Sequence, residues 1–160
     1  IVLNLLSGKY IFALILFAIA SLSDAMDGFI ARFFKWQTDL GKILDPVADK
    51  MLMIGSITSL WLNQVVPLSV FIIFVLRDLL ILLGAAFEMS ITEKTPSPNL
   101  IGKITTTSQI IYILVLIIFE IFNVNINAKI FHILIGFISL LSLISYFRWW
   151  FNNNFIKQNA

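Results

Sequence analysis

Five long apolar stretches, separated by short polar breaks, occupy most of the chain. A helix needs about 20 apolar residues to cross the hydrocarbon core of a bilayer, and each stretch is close to that length. The sequence therefore predicts an all-α, multi-pass integral membrane protein, a helical bundle of about five spans that forms one domain over residues 1–160. The predicted spans are Lys9–Phe34, Leu44–Leu62, Pro67–Phe87, Leu100–Phe122 and Ile126–Trp150.

The composition excludes a water-soluble domain. Hydrophobic residues make up 59% of the chain and charged residues 12%, whereas soluble domains have roughly 45–50% and about 25%. The chain has no cysteine, which excludes disulfides, thiolate nucleophiles and Cys-ligated zinc. Its net charge of +2 is too small to indicate nucleic acid as a partner.

The first eight residues resemble the end of a further span. The chain opens on Ile1, and Ser7-Gly8 is typical of a turn. We therefore expect that the natural protein begins before Ile1, with a first helix that is largely missing from this sequence.

Lysine and arginine are distributed unevenly between the two predicted faces of the bundle. One face carries seven of them, and the other carries only Lys9 and Lys129. Cytoplasmic loops hold the excess of basic residues in membrane proteins, so the first face is predicted to be cytoplasmic, in a bacterial inner membrane or a similar membrane. Its basic residues are Arg32, Lys35, Lys42, Lys94, Lys103, Arg148 and Lys157.

Four aspartates lie near the cytoplasmic ends of the first two predicted spans. Asp24 and Asp27 are three residues apart, and Asp45 and Asp49 are four apart, so each pair lies on one face of its helix. Helices joined by a short loop are antiparallel neighbours, so the two pairs can meet. Converging carboxylates in a low dielectric repel each other unless cations lie among them. All-oxygen ligation favours Mg²⁺ or Mn²⁺, with Ca²⁺ as an alternative.

Two other interpretations of the aspartates stay open at this point. They can form buried ion pairs with Arg32, Lys42 and Lys50 that hold the helices together. They can also line the path of a divalent-cation carrier, because carboxylates inside membranes also mark transport pathways. A carrier needs polar groups that continue to the far face, and the outer halves of the spans are almost uncharged.

Small and basic residues beside the aspartates favour a group-transfer site instead. A phosphate needs room to approach the backbone and a cation to hold it. The residues that supply these are Gly28, Ala31, Arg32 and Gly41. The single histidine, His132, lies in the last span near the opposite face, and we expect it to have a structural role.

The segment from Ser23 to Lys50 has the sequence SDAMDGFIARFFKWQTDLGKILDPVADK. From Asp24 to Asp49 its pattern is D-x2-DG-x2-AR-x8-G-x3-D-x3-D. This pattern resembles the complete signature of the CDP-alcohol phosphatidyltransferase family. The span count and the cytoplasmic position of the acids are also similar to the six-helix fold of that family without its first helix.

The resemblance implies a reaction and a set of roles. Family members displace CMP from a CDP-linked lipid with an alcohol and use two divalent cations, Mg²⁺ or Mn²⁺, as cofactors. By position in the motif, Asp24, Asp27, Asp45 and Asp49 would hold the metals, and Asp49 would also take the proton of the attacking hydroxyl. The residues that would line the CDP site are Gly28, Ala31, Arg32, Thr38 and Gly41.

Beyond the motif, two positions resemble family members that make phosphatidylglycerophosphate or cardiolipin. Arg77-Asp78 lies in the middle of a span, and Gly102-Lys103 opens a later one. Arg77 either binds the acceptor or neutralises Asp78 or the acidic cluster. Lys103 is either a substrate ligand or a plain basic residue at the cytoplasmic start of a helix.

The resemblance implies phosphatidyl transfer from CDP-diacylglycerol to a glycerol-based acceptor, with membrane lipids as surroundings and a homodimer as a candidate assembly. Family members that use glycerol 3-phosphate usually have a second Arg and a second Lys where this chain has Ala85 and Thr105. The sequence therefore narrowly favours phosphatidylglycerol as the acceptor, which gives cardiolipin, over glycerol 3-phosphate. Inositol phosphate and serine are more distant alternatives.

Overall fold

The structure is a computed structural model that describes residues 1–34, 39–92, 100–124 and 128–151. Within these ranges the description covers all side chains except those at 24–25, 27–32, 39–46, 85–92, 100 and 149–151. The described residues form six helices and no strand, as an all-α fold requires. The helices are α1 (Val2–Leu6), α2 (Tyr10–Phe33), α3 (Asp39–Leu62), α4 (Leu68–Thr92), α5 (Leu100–Ile121) and α6 (Lys129–Phe151).

The helices extend beyond the predicted spans at two polar junctions. Helix α3 begins at Asp39 rather than at Leu44, and α4 ends at Thr92 rather than at Phe87. The break of residues 35–43 between the first two predicted spans is therefore helical from Asp39 onward. Hydropathy marks where a helix leaves an apolar environment, whereas the helix itself depends on backbone hydrogen bonds and continues through polar residues.

Two of the helices are long and apolar enough to cross a membrane, among the residues the structure describes. They are Ile101–Ile121 and Lys129–Arg148, with mean hydropathies of 1.9 and 2.2. Only 33% and 22% of these segments is buried, so most of their surface faces outward, as expected of helices in contact with lipid. A shorter apolar segment, Tyr10–Ser23, precedes Asp24. The count of five spans stays a prediction.

The chain divides into two compact units. One comprises Ile1–Val66 with Ile113–Ile126, and the other comprises Pro67–Tyr112 with Asn127–Ala160. Helix α1 packs against α3 and α2 in the first unit, and α4 packs against α6 in the second.

The short helix α1 is firmly attached to α3. A Cβ atom placed on Gly55 would lie 2.8 Å from Cγ2 of Val2, so only glycine allows this close approach. Nδ2 of Asn63 donates a hydrogen bond of 2.7 Å to the carbonyl oxygen of Leu5. The predicted turn after this helix is confirmed, because α1 ends at Leu6 and Gly8 has a φ of +68°.

Helix α4 presents one buried face within the second unit. Val70, Phe74 and Arg77 lie at i, i+4 and i+7, and all three are at least 93% buried.

Elsewhere in this unit, the hydroxyl of Tyr112 and Nδ1 of His132 share a hydrogen bond of 2.7 Å that joins α5 to α6. His132 thus has the interhelical contact expected of a structural residue.

Candidate active site

The signature residues fall on two continuous helices. Asp24 and Asp27 lie within α2, and Asp45 and Asp49 lie within α3. Because neither helix is interrupted, the i,i+3 and i,i+4 spacings place each pair of aspartates on one face of its helix. The other signature positions on these helices are Gly28, Ala31, Arg32 and Gly41, whereas Thr38 lies outside the described residues.

Asp49 is the one metal-site aspartate whose side chain the structure describes, and it is exposed. An exposed carboxylate on a helix can reach both a cation and a water-borne hydroxyl group. No group of three His, Cys, Asp or Glu side chains comes together among the described residues. The convergence of the four aspartates therefore stays a prediction, although an all-carboxylate donor set fits Mg²⁺ or Mn²⁺.

Arg77 and Asp78 form a buried ion pair on α4. Nη1 of Arg77 donates a hydrogen bond of 2.6 Å to Oδ1 of Asp78. Arg77 is 1% exposed and Asp78 is completely buried. A charged pair at this depth needs further hydrogen bonds to compensate for the loss of water.

Polar groups on α5 and α6 provide those further hydrogen bonds. Nη2 of Arg77 donates to the carbonyl oxygen of Gly102 at 3.3 Å, and Nη1 donates to Thr106 and Gln109 at 3.5 Å each. Ser142 accepts from Nη2 at 3.1 Å and from Nε at 3.4 Å. The guanidinium thus joins three helices of the second unit at one point.

Ser142 is the member of this cluster that sequence reasoning missed. The sequence singles out Arg77, Asp78 and Gly102, but a serine is common in transmembrane helices and attracts no notice. The available signal was the spacing of Ser139 and Ser142, which places two hydroxyls on one face of an apolar helix.

Lys103 and Thr105, which follow Gly102 in the first turns of α5, differ in their environment. Lys103 is exposed in the first turns of α5, where a basic side chain can meet a phosphate. Thr105 is 1% exposed, and its hydroxyl donates a hydrogen bond of 2.8 Å to the carbonyl oxygen of Ile101. Thr105 therefore offers no charge to a substrate.

An apolar cavity of about 410 Å³ lies between α4 and α6. Gly84 and Tyr146 meet closely at its wall, and a Cβ atom on Gly84 would overlap the hydroxyl of Tyr146. Leu83 lines the cavity and is 66% exposed, so the cavity opens on the outer surface of the second unit.

Comparison with known proteins identifies the family. The profile of the CDP-alcohol phosphatidyltransferase family matches residues 1–144. The chain is 34% identical to the CDP-diacylglycerol--glycerol-3-phosphate 3-phosphatidyltransferase of Aquifex aeolicus over 75% of this chain and 68% of the relative. It is 35% identical to the Bacillus subtilis protein of the same name, over 65% of this chain and 53% of the relative.

A second group of relatives has a different name. The chain is 30% identical to the cardiolipin synthase (CMP-forming) of Homo sapiens, over 69% of this chain and 42% of the relative. The chain thus spans from 42% to 68% of the lengths of these three relatives. No solved structure matches it significantly. With a family match that covers nearly the whole sequence, the chain belongs to the CDP-alcohol phosphatidyltransferase family.

Proposed function

We propose that this protein transfers a phosphatidyl group from CDP-diacylglycerol to a glycerol-based acceptor and releases CMP. The observation that carries the proposal is the spacing of the signature aspartates along two helices. Two pairs, at i,i+3 and i,i+4, fall on uninterrupted stretches of α2 and α3, as a site built from two helix faces requires. The names of relatives from both groups support the same donor chemistry.

The glycine and arginine positions of the motif suit the CDP part of the donor. Gly28 and Gly41 have no side chain, so a pyrophosphate and a cytidine can approach the helix backbone at these positions. Arg32 can bind a phosphate through two parallel hydrogen bonds, which a lysine cannot do. Ala31 and Thr38 complete the proposed CDP site.

The metal-binding roles follow from the carboxylate donor set. Asp24, Asp27, Asp45 and Asp49 would hold two divalent cations. Such cations, when bound, stabilise the attacking and leaving oxygens of an in-line displacement. We assign Mg²⁺ or Mn²⁺ because both prefer oxygen ligands.

In the proposed reaction Asp49 is the general base. The oxygen of the acceptor hydroxyl forms a bond to the phosphorus that carries the diacylglycerol, and its proton passes to the Asp49 carboxylate. The bond from that phosphorus to the CMP oxygen breaks, and CMP leaves with the electron pair. The exposure of Asp49 supports this role, because the base must reach a hydroxyl group at the water-facing end of the site.

The proposed acceptor is phosphatidylglycerol, which makes the product cardiolipin. Glycerol 3-phosphate carries nearly two charges on a terminal phosphate, so its pocket needs several cations. Position 105 holds a buried, uncharged threonine instead of a lysine, and position 85 holds alanine. Glycerol 3-phosphate is the second candidate, because relatives at 34% and 35% identity are named for it.

The proposed protein is a multi-pass membrane enzyme whose active site faces the cytoplasm. The outward-facing apolar helices Ile101–Ile121 and Lys129–Arg148 support membrane insertion. The uneven distribution of lysine and arginine supports the orientation. Lipid substrates would enter sideways between helices, with the nucleotide and the hydroxyl left in water. A homodimer is the proposed assembly on the basis of the family alone.

One assay tests the reaction and the acceptor together. The protein is incubated in detergent micelles with CDP-diacylglycerol and Mg²⁺, and CMP is measured with one acceptor at a time. We expect CMP and cardiolipin with phosphatidylglycerol, and labelled glycerol 3-phosphate should stay in the aqueous phase. Capture of that label into lipid would reverse the acceptor assignment. Cation uptake into proteoliposomes without any CMP release would instead identify a carrier.

A further inference from the structure

We propose that a cavity lined by Lys9 and Glu120 binds the headgroup of a phospholipid that carries both a phosphodiester and a primary ammonium group, as phosphatidylethanolamine does. The cavity lies at the opposite end of α2 from the signature aspartates. From Tyr10 to Asp24 this helix rises by about 21 Å, at about 1.5 Å per residue. The site is therefore separate from the proposed reaction and goes beyond it.

The cavity has a volume of about 260 Å³ and belongs to the first unit, where the start of α2 and the end of α5 line it. Lys9 and Glu120 are its two charged lining residues. A single water molecule needs only about 10–15 Å³ of such space. The cavity is therefore large enough for a small polar headgroup.

The turn that carries Lys9 has a fixed backbone. The N–H of Lys9 donates a hydrogen bond of 2.8 Å to the carbonyl oxygen of Asn4. Nδ2 of Asn63, on α3, donates to the hydroxyl of the next residue, Tyr10, at 3.3 Å. The exposed ammonium of Lys9 thus extends from a backbone position that the fold defines.

Glu120 lies in the last turn of α5 and is partly exposed. The helix end is fixed, because Asn123 adopts a φ of +49° and the N–H of Val124 donates a hydrogen bond of 3.0 Å to the carbonyl oxygen of Phe119. The last turn carries the negative end of the helix dipole, which disfavours a carboxylate. A cation that enters the cavity from outside the chain would stabilise Glu120.

Lys9 does not supply that cation. No ion pair joins Lys9 to Glu120 in the part of the chain that the structure describes, although both residues line the same cavity. A cation and a carboxylate on the wall of one open cavity suit a zwitterion, whose phosphate pairs with Lys9 and whose ammonium donates hydrogen bonds to Glu120. A quaternary ammonium group has no N–H to donate, so the geometry favours a primary one.

The apolar surface beside the cavity indicates a lipid rather than a free headgroup. Ile11, which lines the cavity, begins a stripe on α2 with Ile15 and Ile19 at i, i+4 and i+8. The three side chains are 49–58% exposed. An acyl chain can lie along this stripe while the headgroup occupies the cavity, and it removes apolar surface from water.

Native mass spectrometry of the full chain tests the proposal. The protein is released from detergent micelles that contain equal amounts of phosphatidylethanolamine and phosphatidylcholine with the same acyl chains, and the bound lipids are counted. We expect phosphatidylethanolamine to bind about three- to tenfold more tightly, the contribution of one hydrogen bond at a partly exposed site. Equal binding of the two lipids would overturn the proposal.

Two single variants separate the two halves of the headgroup. Glu120→Gln should remove the preference for phosphatidylethanolamine, because the two lipids differ only in the ammonium group. Lys9→Gln should weaken both lipids equally, because both carry the same phosphodiester. Lys129→Gln is the matched control and should change neither, since Lys129 is on the same predicted face but does not line the cavity. A preference that survives Glu120→Gln would contradict the proposed site.

Glycerophosphoethanolamine distinguishes a lipid from a soluble ligand. It carries the same phosphodiester and ammonium without acyl chains, so it should not displace phosphatidylethanolamine at equal concentration. Efficient displacement would assign the cavity to a soluble ligand and show that the lipid assignment is wrong. None of these measurements uses CDP-diacylglycerol, so failure of this site and failure of the proposed reaction are distinguishable.

Discussion

Nη1 of Arg77 lies 2.6 Å from Oδ1 of Asp78, its neighbour in the sequence, and both side chains are at least 98% buried. Adjacent residues on a helix point in directions about 100° apart, so the two side chains must bend towards each other to make this contact. The pair itself carries no net charge. The ion pair therefore stabilises the folded protein only when both partners are present.

The first prediction concerns this ion pair. Arg77→Met removes the cation that pairs with the buried Asp78 carboxylate, and the free energy of unfolding should fall by about 3–5 kcal/mol. Adding Asp78→Asn removes that charge, so the double variant should recover a large part of the loss. Thermal or denaturant unfolding in detergent micelles measures both effects. Equal stability of the single and the double variant would show that the pair is not coupled.

The second prediction concerns the contact between α1 and α3. Gly55→Ala would place a methyl group 2.8 Å from Cγ2 of Val2, and a β-branched valine has little freedom to move away. The overlap should cost about 1–3 kcal/mol, which outweighs the gain of up to about 1 kcal/mol in helix propensity. Val2→Ala in the same chain should restore stability.

Gly136 on α6 provides the matched control for this experiment. A Cβ atom on Gly136 would meet nothing within 4 Å. Gly136→Ala should therefore be neutral or stabilising by up to about 1 kcal/mol. If Gly55→Ala behaved in the same way, α1 would not pack on α3 as described.

The third prediction concerns the metals. Four carboxylates cannot cluster in a site of low dielectric without cations, so excess EDTA should abolish CMP release. Addition of Mg²⁺ or Mn²⁺ above the chelator concentration should restore it. Full turnover in EDTA would contradict the proposed metal-dependent mechanism.

The fourth prediction concerns the base. Asp49→Asn keeps the size of the side chain but cannot accept the proton, so kcat should fall by about 10²–10⁴-fold. Binding of CDP-diacylglycerol should change less. Asp24→Asn should instead weaken cation and nucleotide binding together, because its proposed role is metal ligation alone.

A second carboxylate variant controls for the loss of charge in general. Glu120 lies near the far end of α5 and is partly exposed, and it has no proposed role in the reaction. Glu120→Gln should leave kcat unchanged. Normal turnover by Asp49→Asn would assign the base to another residue.

The sequence alone predicts the helices and the signature. A run of apolar residues specifies a helix because lipid leaves every backbone polar group to be satisfied within the segment. The positions of α2 to α6 follow from this rule to within a few residues. Hydropathy does not predict the polar helix ends at Asp39 and Thr92. The motif from Asp24 to Asp49 is equally local, since its spacing alone determines which residues share a helix face.

Only the tertiary structure decides which helices meet and through which side chains. The sequence leaves two roles open for Arg77. Its hydrogen bonds to Asp78, Gly102 and Ser142 form only when α4, α5 and α6 are assembled. The contact of Val2 with Gly55 is of the same kind, because 52 residues lie between them in the chain. The period of a sequence fixes the faces of each helix, but the rotation of one helix against another depends on packing between residues far apart in the chain, and no local pattern encodes it.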